Sequence, residues 1–285
     1  MADVTTNSAA LARYYDALTR YAAMAAHFGL GRAEPTTMHR RLRGSDGSIS
    51  GERLHDLLFA ELGAPNGRSL FDAGCGVGGT LIAWAARGGR GEGVTLSRTQ
   101  RDRAAELARS RGSEAQCRFH CASYDDDLDR LLGNARFDAV VAIESLAHAP
   151  APDGTIARLA RLLRPGGRLA VVDDMPAEAL SPDDADLAAF RAHWLAPGVR
   201  PAAAVRQAIV SAGLRVVVER DLTDETERRA HTQIDRLARL NRLVRPLLPR
   251  SLARIVDSHY GGLMLERLYS RHLMQYRMIV AAASD

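Results

Sequence analysis

Residues Ser69 to Thr80, SLFDAGCGVGGT, constrain this chain more than any other stretch. Leu70 and Phe71 close a short apolar run, Gly74, Gly76, Gly78 and Gly79 follow, and Leu81 to Ala86 resume at helical spacing. The pattern predicts a buried strand, a tight turn and the opening of a helix. Glycine gives up more conformational freedom on folding than any other residue, so four of them within six residues are costly in a turn that only connects. They fit a turn whose main chain a ligand approaches closely, at the carboxyl end of a strand in an open α/β sheet.

Two cofactor classes suit such a turn. Asp72, immediately before the loop, with Gly74 and Gly76 fits S-adenosylmethionine; Gly74, Gly76 and Gly79 also satisfy the GxGxxG spacing of a nicotinamide dinucleotide site. The dinucleotide reading expects a carboxylate at the end of the next strand, roughly 20 residues beyond the loop, to hold the ribose hydroxyls. That strand, Arg90 to Ser97, ends instead in Thr95, Leu96 and Ser97.

The whole chain sets outer bounds. Its 285 residues can bury a sizeable core, and its net charge of +4 rests wholly on arginine, since lysine is absent. Basic residues are interleaved with nearly as many carboxylates and aromatics make up only 5%, which argues against nucleic acid as a partner. No apolar run reaches membrane-span length and the start MADVTTNSAA is polar, so the expected location is cytoplasmic. Cys75, Cys117 and Cys121 form no CxxC pair, so neither a disulfide framework nor a structural zinc site is expected. Cys117 and Cys121, on one face of a strand, read as buried thiols.

Gly93 to Gln100, GVTLSRTQ, carries the most specific signature. On it, and on the glycine turn, the chain resembles the class I S-adenosylmethionine-dependent methyltransferases. Within them it looks like the GVTLS-x-x-Q strand end of the cyclopropane-fatty-acid synthase, sterol C-methyltransferase and tocopherol methyltransferase group. The resemblance implies S-adenosylmethionine as cofactor, with Thr95, Leu96 and Gln100 taking over contacts that an acid makes elsewhere. It also implies that Ser123, Tyr124 and Asp125, after a third strand from Arg118 to Ala122, contact the adenine. Glu144 to His148, ESLAH, follows a fourth strand from Phe137 to Ile143 and resembles the family's ESGEH, with Glu144, Ser145 and His148 matching. It departs at Leu146 and at Ala147, where the family usually has a second glutamate. In cyclopropane-forming members that carboxylate helps hold a bicarbonate used as base, so its absence argues against cyclopropane chemistry. LLRPGGRL before a fifth strand, Arg168 to Asp174, and the D-x-T of Asp221 to Thr223 extend the likeness, which covers about Tyr14 to Thr223.

The expected fold is α/β: a Rossmann-like seven-stranded, mostly parallel sheet with helices on both faces, an N-terminal helical cap and a helical lid inserted before the last strand. The cap spans 1–65, the cofactor-binding core 66–223, the lid 224–271 and the final core strand 272–285. In the cap, Asn7 or Ser8 would start a helix reaching about His27, carrying Leu11, Tyr14, Tyr15, Leu18, Tyr21 and Ala22 near helical spacing. Arg32 to Ser50 reads as a mobile loop and Ile49 to Leu62 as a helix. Two further helices are expected, from Asp183 to Trp194 and from Ala202 to Gly213, before a sixth strand at Leu214 to Glu219. In the lid, apolar Ile234, Leu237, Leu240 and Val244 recur at helical intervals, flanked by Arg236, Arg239, Arg242 and Arg245, and Pro246 and Pro249 break it. Solvated arginines, an anionic membrane surface and an anionic substrate all remain open for this segment.

Methyl transfer from a sulfonium needs positioning and exclusion of water rather than a triad or metal, and no metal cluster stands out. For an alkene-type carbon acceptor, the aromatics Tyr14, Tyr15, Tyr21 and Trp194 would line the substrate and stabilise a cation, with Glu144 and His148 as bases. For nitrogen or oxygen the base would be His148 or His193. His39, His55, His120, His231, His259 and His272 read as structural. The expected partner is a small apolar acceptor, with a membrane surface and a homodimer left open.

Overall fold

The computed structural model describes residues 2–27, 39–44 and 46–284. Along them run α1 (Ala2–His27), β1 (Leu42–Arg43), β2 (Ile49–Ser50), α2 (Glu52–Leu62), β3 (Ser69–Ala73), α3 (Gly79–Ala85), β4 (Arg90–Thr95), α4 (Arg98–Ser110), β5 (Cys117–Cys121), α5 (Leu128–Leu132), β6 (Phe137–Ile143), α6 (Pro152–Arg161), β7 (Leu163–Pro176), α7 (Ala185–Trp194), α8 (Ala202–Ser211), β8 (Arg215–Asp221), α9 (His231–Val244), α10 (Arg250–Ser270) and β9 (Met274–Ala282). Seven strands form one sheet in the order β5-β4-β3-β6-β7-β9-β8. All neighbours are parallel except β9, which threads antiparallel between β7 and β8. This is the expected α/β architecture.

Strand direction of growth reverses between β3 and β6, which places a crevice beyond their carboxyl ends. Both strands are central, and β3 is buried along its whole length, which explains why it reads as apolar without alternation. Neighbouring residues still go to opposite faces. Leu70 and Val141 join Leu54, Leu58, Leu62 and Trp84 in one core layer, while Phe71 and Val140 join Ile156, Leu159 and Ile209 in the other.

Several elements differ from expectation. Helix α1 already runs from Ala2, so neither Asn7 nor Ser8 caps it. The proposed loop from Arg32 to Ser50 contains a hairpin, Leu42 pairing with Ser50 and Arg43 with Ile49; residues 28–38 and 45 lie outside the described residues. The fifth strand begins before Arg168: Arg164 to Gly167 form a bulge within β7, whose register jumps from Leu163 to Arg168 against Phe137 to Ala139. The lid helix does break at Pro246 and Pro249, into α9 and α10. Leu240 faces outward, because the buried stripe of α9 runs Ile234, Ala238, Asn241 and Asn241 bonds His259 at 2.9 Å. Cys117 is buried, but Cys121 ends the edge strand and is exposed.

Candidate active site

At the end of β3 the chain folds back under β4: Gly74 and Cys75 donate their amides to the carbonyl of Val94 at 3.1 and 2.9 Å. Gly74 and Gly76 hold positive φ, 104° and 52°. A Cβ on Gly74 would stand 2.5 Å from that of Ser145, whereas one on Gly76 would meet only the amide nitrogen of Gln100, at 4.0 Å. Gly74 is therefore required by packing, and Gly76 by its backbone angle and by the open space beside it. That space is a cavity of about 270 Å³.

The cavity's second wall comes from β4 and the start of α4. Ser97 caps α4 by accepting from the Gln100 amide, 3.0 Å. This turns the Gln100 side chain back onto β4, where Thr95 Oγ1 donates to Gln100 Oε1 at 2.7 Å. Thr95, Leu96 and Gln100 all line the cavity. Tyr124 lines it too and donates to the Ser145 carbonyl at 2.9 Å. Ser123 and Asp125 do not reach it. Ser123 Oγ accepts from the Asp125 amide and Asp126 accepts from that of Ser123, while Asp125 is bound by Thr155 and Arg158.

Asp72 is not on the wall either, yet both its carboxylate oxygens are buried without a protein partner. Burial alone pushes its pKa up to about 7. An ionisable group kept in that state is a feature of sites that await polar donors.

The far end of the cavity is closed by α1. Leu11, Tyr14, Tyr15 and Leu18 fall on one helical face and all line it, with Trp194 of α7 and Ser258 of α10 opposite. Tyr14 and Ser258 hydroxyls are 2.7 Å apart, and the Trp194 indole donates to the Ser258 carbonyl at 2.9 Å. Asp16 fastens α1 to the start of α4, accepting from Ser97 Oγ at 2.5 Å and from the Thr99 amide at 3.2 Å. Tyr21 does not contribute and is 43% exposed. His193 also points elsewhere, against the Tyr260 ring at 5.3 Å and 4.0 Å from Asp257.

His148 and Glu144 meet at the cavity between these walls. His148 Nδ1 lies 3.1 Å from the Leu195 carbonyl, which can only accept, so Nδ1 carries the proton. Its Nε2 is then the acceptor for the Tyr15 hydroxyl at 2.6 Å. Burial holds the His148 pKa below its ordinary value, opposed by the Leu195 bond, and burial first among several causes keeps Tyr15 protonated. Glu144 adopts φ 49°, a sparsely populated angle for a side chain of its size. Its Oε1 accepts from the Arg40 amide and the Tyr276 hydroxyl, both at 2.8 Å. Burial raises its pKa, with the Arg40 charge working against the rise.

Sequence reasoning missed the support beneath Glu144. Arg40 is paired with Asp174 at 3.1 Å and lies over the rings of Tyr269 and Tyr276, and Tyr269 donates to Asp174. Next to it Asp173, pushed up to about 8 chiefly by burial, accepts from the Ala147 amide at 3.0 Å. Two successive carboxylates ending a buried strand were the available signal, because neither can stay buried without partners. His39, read as structural, also lines the cavity, its Nε2 2.9 Å from Thr80 Oγ1. Burial first, then His55, lowers its pKa to about 3. Among the described residues no group of three His, Cys, Asp or Glu could hold a metal, and no helix is long and apolar enough to cross a membrane.

Residues 71–171 match the family model of a methyltransferase domain. Methyltransferase GfsG of Streptomyces halstedii is 39% identical over 126 residues, 44% of this chain and 44% of its own length. Cycloartenol-C-24-methyltransferase of Arabidopsis thaliana is 28% identical over 221 residues, 75% of this chain and 65% of its own. The chain thus spans less than two thirds of the length of either relative. Among solved structures, the [4+2]-cyclase SpnF superposes with a TM-score of 0.72 at 23% identity, covering 96% of this chain and 94% of that one.

Proposed function

We propose, taking residues 71–171 as a class I S-adenosylmethionine-dependent methyltransferase domain, that the chain methylates an apolar small molecule, by carbon methylation of an isoprenoid or related natural product. One observation carries this reading: a single cavity joins the glycine turn at Gly74 and Gly76 to an apolar end walled by Leu11, Tyr14, Tyr15, Leu18 and Trp194. The sterol methyltransferase among the relatives supports an isoprenoid acceptor.

The residues present fit the cofactor. Gly76 leaves room at the turn, the Gln100 amide faces it, and Asp72 keeps a carboxylate free of protein donors. A nicotinamide dinucleotide fits less well, since the buried Thr95–Gln100 pair stands where its ribose would need an acid. When bound, S-adenosylmethionine supplies an electrophilic methyl group on a sulfonium. Gly74, Gly76, Thr95, Leu96, Gln100 and Tyr124 would hold it, with the Asp72 carboxylate behind the turn and Ser123 and Asp125 acting by shaping the Tyr124 turn.

The chain's own part is to position the acceptor, keep out water and handle the proton. Tyr14, Tyr15 and Trp194 offer ring faces, whose negative quadrupole favours positive charge developing on a carbon acceptor. Tyr15 and His148 form a relay: a proton accepted by the Tyr15 oxygen is matched by transfer of the tyrosine's own proton to His148 Nε2. Glu144 is the second base, held in place by Arg40 and Tyr276. Transfer to oxygen or nitrogen is the second reading, favoured by the same relay, since a hydroxyl or amine acceptor beside Tyr15 needs only that one proton removed.

Because a chain named as a cyclase shares the fold, turnover decides. Incubation with methyl-labelled S-adenosylmethionine and pooled terpenoids, lipids and alkaloids should give a labelled apolar product, and mass analysis of that product separates carbon from heteroatom methylation. Calorimetric binding of S-adenosylhomocysteine with no label transfer to any pool would make this a binding protein. Binding of NADH in its place would make it an oxidoreductase.

A further inference from the structure

The outer face of α9 is apolar where nothing among the described residues covers it. Leu240 and Leu243 are 52% and 72% exposed, and Leu247, in the short turn that follows the helix, is 82% exposed. Arg236, Leu240 and Leu243 recur at i, i+4 and i+7 and so share one side of the helix. The opposite side, Ile234, Ala238 and Asn241, is already spent on the body of the protein. Three large leucines side by side in water are the mark of a surface with a partner.

The charges around the leucines identify that partner. Arg236, Arg239 and, at the start of α10, Arg254 are exposed and form no ion pair among the described residues. The acids of the two helices are engaged elsewhere, Asp235 by Arg267 at 2.6 Å, Asp257 by Arg245 at 2.8 Å and Glu266 by Arg229. A second copy docking through the same face would set arginine against arginine with no carboxylate between. Leucines flanked by unpaired arginines instead match a bilayer interface, acyl chains taking the former and acidic headgroups the latter.

We propose that α9 and the turn after it dock this protein on membranes containing anionic lipid. The position relative to the cavity gives the contact a use. Helix α9 and the turn after it pack on α10 through Asn241–His259 and Arg245–Asp257, and α10 carries Ser258 into the cavity wall. One helix thus separates the docking face from the space in which an apolar acceptor would lie. The docking does not depend on the reaction assigned to that space, because it is read without catalysis.

Co-sedimentation of the full chain with vesicles of phosphatidylcholine alone, and with about one third phosphatidylglycerol, tests this. Binding is expected only to the acidic vesicles and should weaken steeply between about 0.1 and 1 M salt. L243E/L247E and R236E/R239E should each lose at least about tenfold in affinity, each arginine near the surface being worth about fivefold. Both variants should keep wild-type binding of S-adenosylhomocysteine, which reports folding. Failure of the wild type to bind acidic vesicles overturns the proposal, as does undiminished binding by L243E/L247E. A wild-type dimer that L243E/L247E dissolves, without vesicle binding, would make the leucines a contact between copies and reject the membrane.

Discussion

The two ends of the cavity are built in different ways. At the end proposed for the cofactor, Gly74 to Gly79 and Thr95 to Gln100 come from two adjacent strands and their following helices, close in sequence, and the chain presents main chain and short polar side chains. At the end proposed for the acceptor, Leu11 to Leu18, His148, Trp194 and Ser258 arrive from four distant segments, and the Tyr14–Ser258 contact spans 244 residues. The first end depends on backbone conformation, which local sequence dictates. The second depends on closure of helices over the sheet, so its shape can change with the packing of α1, α7 and α10 while the first stays intact. Substitutions at the two ends should therefore fail in different ways.

The largest effect belongs to the turn. Gly76→Val puts a branched side chain into the cavity at φ 52°, where such residues are strained. Affinity for S-adenosylhomocysteine should fall at least about 100-fold by calorimetry with the circular dichroism unchanged. Normal affinity would show that the cofactor end is not this turn.

Asp72→Asn should separate binding from stability. The carboxyl has a native pKa of about 7 against an ordinary 3.8, so between those values the folded state binds more protons than the unfolded. The stability tied to this group is whole below about pH 4 and is lost as pH rises through 7. Removing the charge should raise ligand-free stability at pH 8 by roughly 2–4 kcal/mol, flatten that slope, and still weaken cofactor binding. Denaturant melts of wild type and variant at pH 5 and pH 8 check it; a variant no more stable than the wild type at pH 8, with unaltered affinity, would leave Asp72 without a role at this site.

Legibility followed the same division. Strand β6 runs from Phe137 to Ile143 as its apolar run predicts, and the glycine turn is readable because it is local, whereas Thr95 and Gln100 stand out only through the family resemblance, which does not foresee their mutual hydrogen bond. At the acceptor end periodicity gave direction but not reach. Tyr21 shares the helical face of Tyr14, yet seven residues carry it about 10 Å further along the axis, past the cavity. His193 and Trp194 are adjacent on α7 and diverge by about 100°, so only one can face inward. His39 and Ser258 carry no local pattern at all, since only long-range closure makes them neighbours of the cavity. Arg40 needed the reverse argument, from the buried Asp174 to the cation it demands.

Tyr15→Phe and His148→Gln act at the acceptor end on rate rather than cofactor affinity. Each should lower kcat by about 100-fold while leaving S-adenosylhomocysteine affinity near wild type. Since burial holds His148 below 6.5, the acid limb of the wild-type rate profile should fall below that pH, and His148→Gln should abolish it. A wild-type limb retained in His148→Gln would transfer the proton to Glu144.

The smallest effect tests whether the two ends are mechanically joined. Asp16 is the tie: it sits on α1 but receives hydrogen bonds from Ser97 and Thr99, at the start of the helix that carries Gln100. Burial would raise its pKa, but those bonds outweigh it and hold the group below its ordinary 3.8. Its contribution is therefore present above about pH 4 and disappears as pH falls further. Asp16 is half-buried, but asparagine keeps an oxygen that can accept the same bonds, so Asp16→Asn should cost only about 0.5–1 kcal/mol globally. The loss should fall on α1: faster amide exchange around Leu11 to Leu18 and a KM for acceptor raised by about three- to fivefold, with cofactor affinity moved less. An equal loss of affinity for both ligands would mean that α1 belongs to the cofactor end as much as to the acceptor end, and that the two are one unit held together at this carboxylate.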